Sequence, residues 1–333
     1  MTEPQPDDDP PVGELSERDI LRGILSGLAP SSALVGPGDD AAVLSVPDGR
    51  VVASVDSLVH GPDFRLAWSS PFDLGFKAAA VNLADIAAMG ARPTALLVAL
   101  AMPNDTRMST VTELARGLRT ACDELAPGCA VEGGDLTVSD TLTIAVTALG
   151  SLDGREPVLR SGARPGDVVA LAGEAGAAAR GLDVLFRRFR DVGGEPVPIA
   201  YDELDAGEAA CVAAQLRPTP PIVLGPVAAD AGATAMMDVS DGIALDATRM
   251  AEASRVTIAV DSAALGARRG WAVDGGEDHA LLATFPPGVA LPPGFRIIGA
   301  VRRRSEAPLL LDDEPYAGRG GWDPYRDWDS AAG

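Results

Sequence analysis

A chain of 333 residues is longer than one ordinary hydrophobic core serves, so its length predicts two domains of about 150 residues each. A hydrophobic fraction of 47% with 4% aromatics describes an alanine- and valine-rich globular protein, and no apolar run reaches the roughly 18 residues of a membrane helix. The net charge of −21 excludes nucleic acid and anionic membrane as partners, because phosphate backbones are bound by clustered Lys and Arg.

Residues 1–13 have neither the basic start nor the apolar centre of a signal peptide; they read as a disordered acidic lead-in, and the expected compartment is the cytoplasm. Residues 14–29 then predict a short amphipathic helix from the spacing of Leu15, Ile20, Leu21, Ile24, Leu25 and Leu28. "AAVLSV" and "RVVASVDSLV" predict two strands parted by the turn "PDG". Residues 72–89 predict a helix, rich in alanine and closed by Gly90 with Pro93 just beyond. A buried strand "TALLVALAM", a helix over 109–125, a "VEGGD" loop and the strand "TLTIAVTALG" complete an α/β half. The glycine and proline punctuation of "RSGARPGD" opens a second unit, which places the domains at 14–152 and 153–333. That unit reads as the strand "VVALAG", a helix over about 175–188, a polar insertion at 191–205 and the segment "RPTPP". A helix near 222–230, the strand "ATAMMDV", a helix over 243–254 and C-terminal strands follow.

Cys122, Cys129 and Cys211 cannot all pair and form no zinc-type CxxC arrangement, so they read as reduced and buried. With only His60 and His279, a histidine-rich metal site is excluded.

Acidic residues recur beside glycine in "GDD" (38–40), "GGD" (133–135), "DVSDG" (238–242) and "DGGED" (274–278), with "SVDS" (54–57) a related segment without glycine. Each alone is an ordinary turn. Several follow a predicted strand, however, and strand ends are where open α/β sheets place ligands. Scattered aspartates suit magnesium, which takes hard oxygen ligands and bridges one or two carboxylates to phosphates. An EF-hand fails because Met237 and Val239 would fall at ligand positions, and no GxxxxGK[ST] is present. On the helix over 72–89, Asp85 lies about 80° from Lys77 and about 60° from Asn82, a shared polar edge that also suits a solvated face. Lys77 is the only lysine in a chain that otherwise uses arginine. In "MMDVSDGIAL", Ser240 or Asp241 is expected to cap the helix that starts near Ile243.

Together "GDDAAVL", "SVDSLVHGPDF", "DLGFKAAAVNLADIAAMGARP", "GGDLT", "RSGARPGD", "LRPTPP", "MDVSDGIALD" and "GGEDHAL" span nearly the whole chain. In that order they resemble the thiamine-monophosphate kinase family, within the aminoimidazole ribonucleotide synthetase-like superfamily. The resemblance implies two α/β domains of mixed sheets, the N-terminal one binding ATP and Mg²⁺ and dimerising, the C-terminal one completing the site. It implies a homodimer that phosphorylates thiamine monophosphate to thiamine diphosphate with ATP and several Mg²⁺ ions. The implied magnesium ligands are Asp40, Ser54, Asp56, Asp85, Asp135, Asp238 and Asp241. Gly134, Asp135, Arg160 and Ser240 would contact the nucleotide, and Glu277 and Trp322 the thiamine moiety. Asp85, Asp135 and Arg160 would carry the phosphoryl transfer, which needs positioning and charge neutralisation rather than a strong base. Asp63 stands where the family commonly has a substrate-binding histidine, and a carboxylate cannot donate to phosphate unless protonated. The rival readings are an ATP- and magnesium-dependent enzyme of the same superfamily with another acceptor, and a non-catalytic acidic protein whose aspartates are solvating turns.

Overall fold

The computed structural model describes residues 9–31, 33–36, 41–318 and 320–321; Asp40 and Trp322 lie outside them. Helix α1 (Glu17–Gly27) starts at Ser16, whose side chain accepts from the Asp19 N–H. Strand β1 (Val52–Val59) leads to α2 (Pro71–Ala88), which begins at a Ser70/Asp73 capping box with Pro71 in its first turn. After β2 (Arg92–Met102), α3 (Met108–Leu125), β3 (Ala130–Val138) and β4 (Thr143–Ser151) close the first unit. Its four strands form one sheet ordered β1-β4-β2-β3, in which β2 and β3 run parallel and the other pairs antiparallel.

The second unit comprises β5 (Val168–Ala172), α4 (Ala177–Arg188), α5 (Ala206–Leu216), α6 (Leu224–Asp230), β6 (Ala235–Val239) and α7 (Ile243–Ser254). It continues through β7 (Val256–Val260), α8 (Arg269–Asp274), β8 (Ala280–Phe285), β9 (Phe295–Arg303), β10 (Leu309–Leu311) and β11 (Glu314–Pro315). These strands make a seven-stranded mixed sheet ordered β11-β10-β7-β9-β5-β8-β6.

Helix α2 decides how the two sheets meet. Fourteen of its 18 residues are buried, as expected for a helix apolar on every side. It packs against β1 and β4 of the first sheet and against β6, β8 and α6 of the second unit. One core therefore runs from Ile144 through Ala84 to Met236, Leu281 and Phe285. The other face of the seven-stranded sheet is covered by α7, through Ile243, Met250, Ile258 and Ile298. A smaller core joins α4 and α5 to Trp68 through Leu185, Phe189 and Leu216. Helix α3 lies close on α2 because Gly75 and Gly117 sit at the contact: a Cβ at Gly75 would come within 2.0 Å of the Leu114 carbonyl oxygen, and one at Gly117 within 2.1 Å of that of Phe72.

The architecture is the mixed α/β, two-sheet arrangement expected, with local differences. "AAVLSV" forms no strand; Val43 makes only an isolated bridge to Val35. The expected "VEGGD" loop is part of β3, paired with β2 apart from a bulge at Glu132, where the register steps from Leu96 opposite Val131 to Leu97 opposite Gly133. Helix α5 is additional to the elements read from the sequence, and it carries its own capping box of Asp205 and Glu208. All three cysteines are free and buried. Among the described residues no helix is long and apolar enough to cross a membrane.

Candidate active site

β1 and α2 are joined by a side-chain bond in which the Ser54 hydroxyl donates to Asp85 Oδ2 at 2.5 Å. From the second sheet, β6 delivers Asp238, buried and 3.0 Å from the Nδ1 of His279. Burial and the negative charge of Asp238 push the Asp85 carboxyl up to about 6, against the pull of the Ser54 hydrogen bond. Desolvation likewise raises Asp56, and the charges of Glu277 and Asp238 add to it. At His279 burial favours the neutral ring, but the Asp238 bond and charge outweigh it and raise the imidazole above its ordinary value. Carboxylates from β1, α2 and β6 thus face one another in the cleft between the sheets.

Two loops of the second unit form the floor. The loop after β6 lies against the loop before β8, where the Glu277 N–H donates to the Ser240 carbonyl at 2.9 Å and the His279 N–H to that of Val239 at 3.2 Å. Only glycine fits at Gly276, because a Cβ there would stand 1.8 Å from the Ser240 oxygen. Glu277 and His279 themselves hold φ values of 74° and 52°, in the left-handed region that side chains rarely adopt. The expected cap on α7 is corrected: its N-cap is Gly242, without a side-chain cap bond. Instead Asp246, from the first turn, reaches back to accept from the Asp241 N–H at 3.0 Å. Asp241 accepts from Arg249 at 2.5 Å, and the same Nη1 reaches Asp246 at 2.8 Å.

Beside the carboxylates opens a cavity of about 610 Å³ lined by Asp63, Arg65, Trp68, Lys77, Ser240 and Glu277, among others. Trp68 and Phe186 meet edge to face with centroids 5.0 Å apart, and the Arg65 guanidinium lies 6.0 Å and 5.9 Å from their ring centres. The Trp68 indole N–H donates to the Phe189 carbonyl at 3.1 Å. Asp63 accepts from the Val59 N–H at 2.7 Å and so ties the turn after β1.

Of the residues singled out from the sequence, Ser54, Asp56, Asp85 and Asp238 come together, and Asp63, Ser240 and Glu277 border the adjoining cavity. Gly134 and Asp135 do not join them within one chain. They lie on β3, at the opposite edge of the first sheet from β1, and line a second cavity of about 850 Å³ bordered by Leu21, Leu25, Leu97 and Leu136. Three strand spacings separate those edges by about 14 Å. Arg160 is exposed and lines neither cavity; its carbonyl accepts from Ser254 at 2.9 Å. Lys77 does not pair with Asp85 on a solvated face; it is buried and bound to Glu277. The sequence reading missed the pairing of His279 with Asp238 and the Trp68–Phe186 wall, which depend on partners distant along the chain, and the buried Asp246, whose partners Asp241 and Arg249 are near in sequence but whose burial is set by packing. Among the described residues no three His, Cys, Asp or Glu side chains converge tightly enough to cage a metal ion by themselves.

Two mixed sheets clasping one buried helix, with acidic loops along the cleft, place the chain with the proteins related to aminoimidazole ribonucleotide synthetase. The family model described as "AIR synthase related protein, N-terminal domain" matches residues 38–152. More narrowly, the chain belongs to the thiamine-monophosphate kinase family. It is 40% identical over 337 residues to the thiamine-monophosphate kinase of Mycobacterium tuberculosis, covering 96% of this chain and 95% of that one. The crystal structure of thiamine monophosphate kinase from Aquifex aeolicus superposes with a TM-score of 0.71 at 28% identity, over 92% of this chain and 98% of that chain. A structure described as AaThiL complexed with AMPPCP and TMP gives a TM-score of 0.72 at 29% identity, over 92% and 97%.

Proposed function

We propose that this protein transfers the γ-phosphoryl group of ATP to thiamine monophosphate, forming thiamine diphosphate. Membership of the family carries this reading, and the AMPPCP and TMP complex of its structural relative supports it. The cleft fits: carboxylates at one end, and at the other a cavity with an aromatic wall. The acceptor is a phosphate oxygen, already ionised at neutral pH, so no side chain has to remove a proton. The work left to the protein is to align two anions and offset their charge.

We assign magnesium to Ser54, Asp56, Asp85 and Asp238. The support is the donor set, hard oxygens only, in which burial first and the charge of Asp238 second lift Asp85 to about 6. Bound magnesium would neutralise phosphate charge while keeping water and phosphate oxygens as its remaining ligands, which suits a site that offers no closed protein cage. Asp241 is assigned to the same metal site, its carboxylate aimed by Arg249, and Asp40 completes the proposed set from outside the described residues. Ser240 would face the nucleotide, with Gly134, Asp135 and Arg160. Glu277 and Asp63 would border the acceptor, with Trp322 beyond the described residues.

The proposed assembly is a homodimer built through the first unit, residues 14–152, with 153–333 completing each site. Its support is the exposed sheet edge on both sides, where Val55 on β1 and Val138 on β3 are 65% and 67% exposed, and the apolar cavity beside β3. A second copy set against that surface could supply Gly134 and Asp135 to the carboxylate cluster. The proposed compartment is the cytoplasm, in keeping with three buried, unpaired cysteines.

The deciding experiment is a coupled ADP-release assay across thiamine, thiamine monophosphate and other phosphorylated acceptors. Magnesium-dependent ADP release with thiamine monophosphate alone is expected; preference for another acceptor would move the protein elsewhere in the superfamily.

A further inference from the structure

The only lysine of the chain, Lys77, is 5% exposed and points from α2 across the boundary between the two units. Its Nζ donates to the Gln215 backbone carbonyl at 3.3 Å and to Glu277 Oε2. With its amide turned so that both ends are satisfied, Gln215 accepts from the same Nζ at 3.2 Å and donates to the Ala178 carbonyl at 3.1 Å. An ammonium has three N–H donors, and all three are met by groups of the second unit. A guanidinium brings five donors in a planar fork, which three acceptors around a buried point cannot satisfy. That explains a lysine here in a chain whose other Lys/Arg-type cations are all arginine.

We propose that Lys77 is a positioning residue for the acceptor: it holds the Glu277 carboxylate at the cavity wall and sets it in register with the carboxylate cluster. Lys77 and Asp85 share α2 and lie two turns apart, about 12 Å along a rigid axis. Through Lys77 the helix fixes Glu277, while through Asp85 it reaches Ser54 on β1. Glu277 in turn is bonded by its backbone to Ser240. Burial disfavours a charged Glu277, but the Lys77 ammonium, with His279 and the Gln215 side chain, outweighs it and keeps the carboxyl below its ordinary value. The acceptor cavity therefore presents a carboxylate whose side chain is held in position by one lysine. The proposal rests on the kinase reading above.

Wild type, Lys77→Met, Lys77→Arg, Glu277→Gln and the Lys77→Met/Glu277→Gln double variant are compared by steady-state kinetics. Lys77→Met should raise the KM for thiamine monophosphate about tenfold or more while the KM for ATP moves less than about twofold. Lys77→Arg should not rescue it, and the double variant should be no worse than the weaker single, since both act through one contact. An unchanged acceptor KM, an equal rise in the KM for ATP, or penalties that multiply would overturn the proposal. Should Lys77→Met fail to fold, the full-length wild type labelled with ¹³C-lysine gives a single lysine side-chain signal. Movement of that signal on adding thiamine monophosphate but not ADP supports the proposal; a signal unmoved by the acceptor overturns it. An inactive wild type overturns both this and the kinase reading, whereas an active wild type with an indifferent Lys77→Met overturns the proposal alone.

Discussion

Asp85 draws its character from neighbours that are remote in sequence: the Ser54 hydroxyl on β1 and the Asp238 carboxylate on β6. If these groups share magnesium, Asp85→Asn and Asp238→Asn should each lower turnover at limiting Mg²⁺ by about 100-fold, measured by ADP release. Wild-type turnover in either would remove that residue from the metal site. Without metal, Asp85 stands at about 6 and Asp246 at about 7, against an ordinary value of 3.8. Both values are raised, so each group contributes stability that is complete below about pH 4 and lost as pH rises through its folded value. The melting midpoint of metal-free protein should therefore fall between about pH 4 and 7, and Asp85→Asn should flatten the part of that fall below about pH 6. A wild-type midpoint that climbs across the same window would contradict the assignment. At this scale most of the acidic segments are legible because glycine stands in them, while Asp56 is legible from the strand it follows and Asp85 from its place on a helix edge. Their partners are not, since Asp238 with His279 and Lys77 with Glu277 are brought together only by folding.

Among the elements, α2 was the most legible and also the most misjudged. Its length, its alanine content and its stop at Gly90 are local properties, and the helix observed over Pro71–Ala88 follows them closely. Its setting is not local: the edge carrying Lys77, Asn82 and Asp85 looked compatible with solvent, yet Lys77 and Asn82 are buried between the two units. The close contact of α2 with α3 depends on two glycines, so Gly117→Ala should destabilise the protein by about 1–3 kcal/mol in urea unfolding. A variant as stable as wild type would mean the helices can part without cost. Helix α5 carries little periodic signal in the sequence although its Asp205 and Glu208 form a capping box. It is short, follows a polar insertion and buries only Cys211, Val212, Gln215 and Leu216. The "GGD" segment reads as a loop because glycine weakens a strand signal, but at Gly134 a Cβ would meet the Val98 carbonyl oxygen at 2.0 Å on the paired β2.

For the whole molecule, the separation of Asp135 on β3 from the cluster at β1 is the feature that the proposed dimer resolves. If the second copy supplies Asp135, equal parts of Asp85→Asn and Asp135→Asn protein, each inactive, should regain activity when subunits exchange. Half of the dimers would be hybrids with one intact site of two, giving about a quarter of wild-type activity. No recovery after exchange would place each site within a single chain, and sedimentation of wild type as a monomer would remove the dimer altogether.

By itself the sequence determined the class of fold, the order of most elements, the acidic and glycine-flanked segments that resemble one kinase family, and the unusual status of its single lysine. These follow from local periodicity, from turn chemistry and from residue type, each readable within a short window. Only the tertiary structure decided that α2 is enclosed by both sheets, that Asp85 faces Asp238, that Lys77 holds Glu277, and that Asp135 stands apart within one chain. Those facts depend on which distant segments share a face, and no short window of sequence contains both partners.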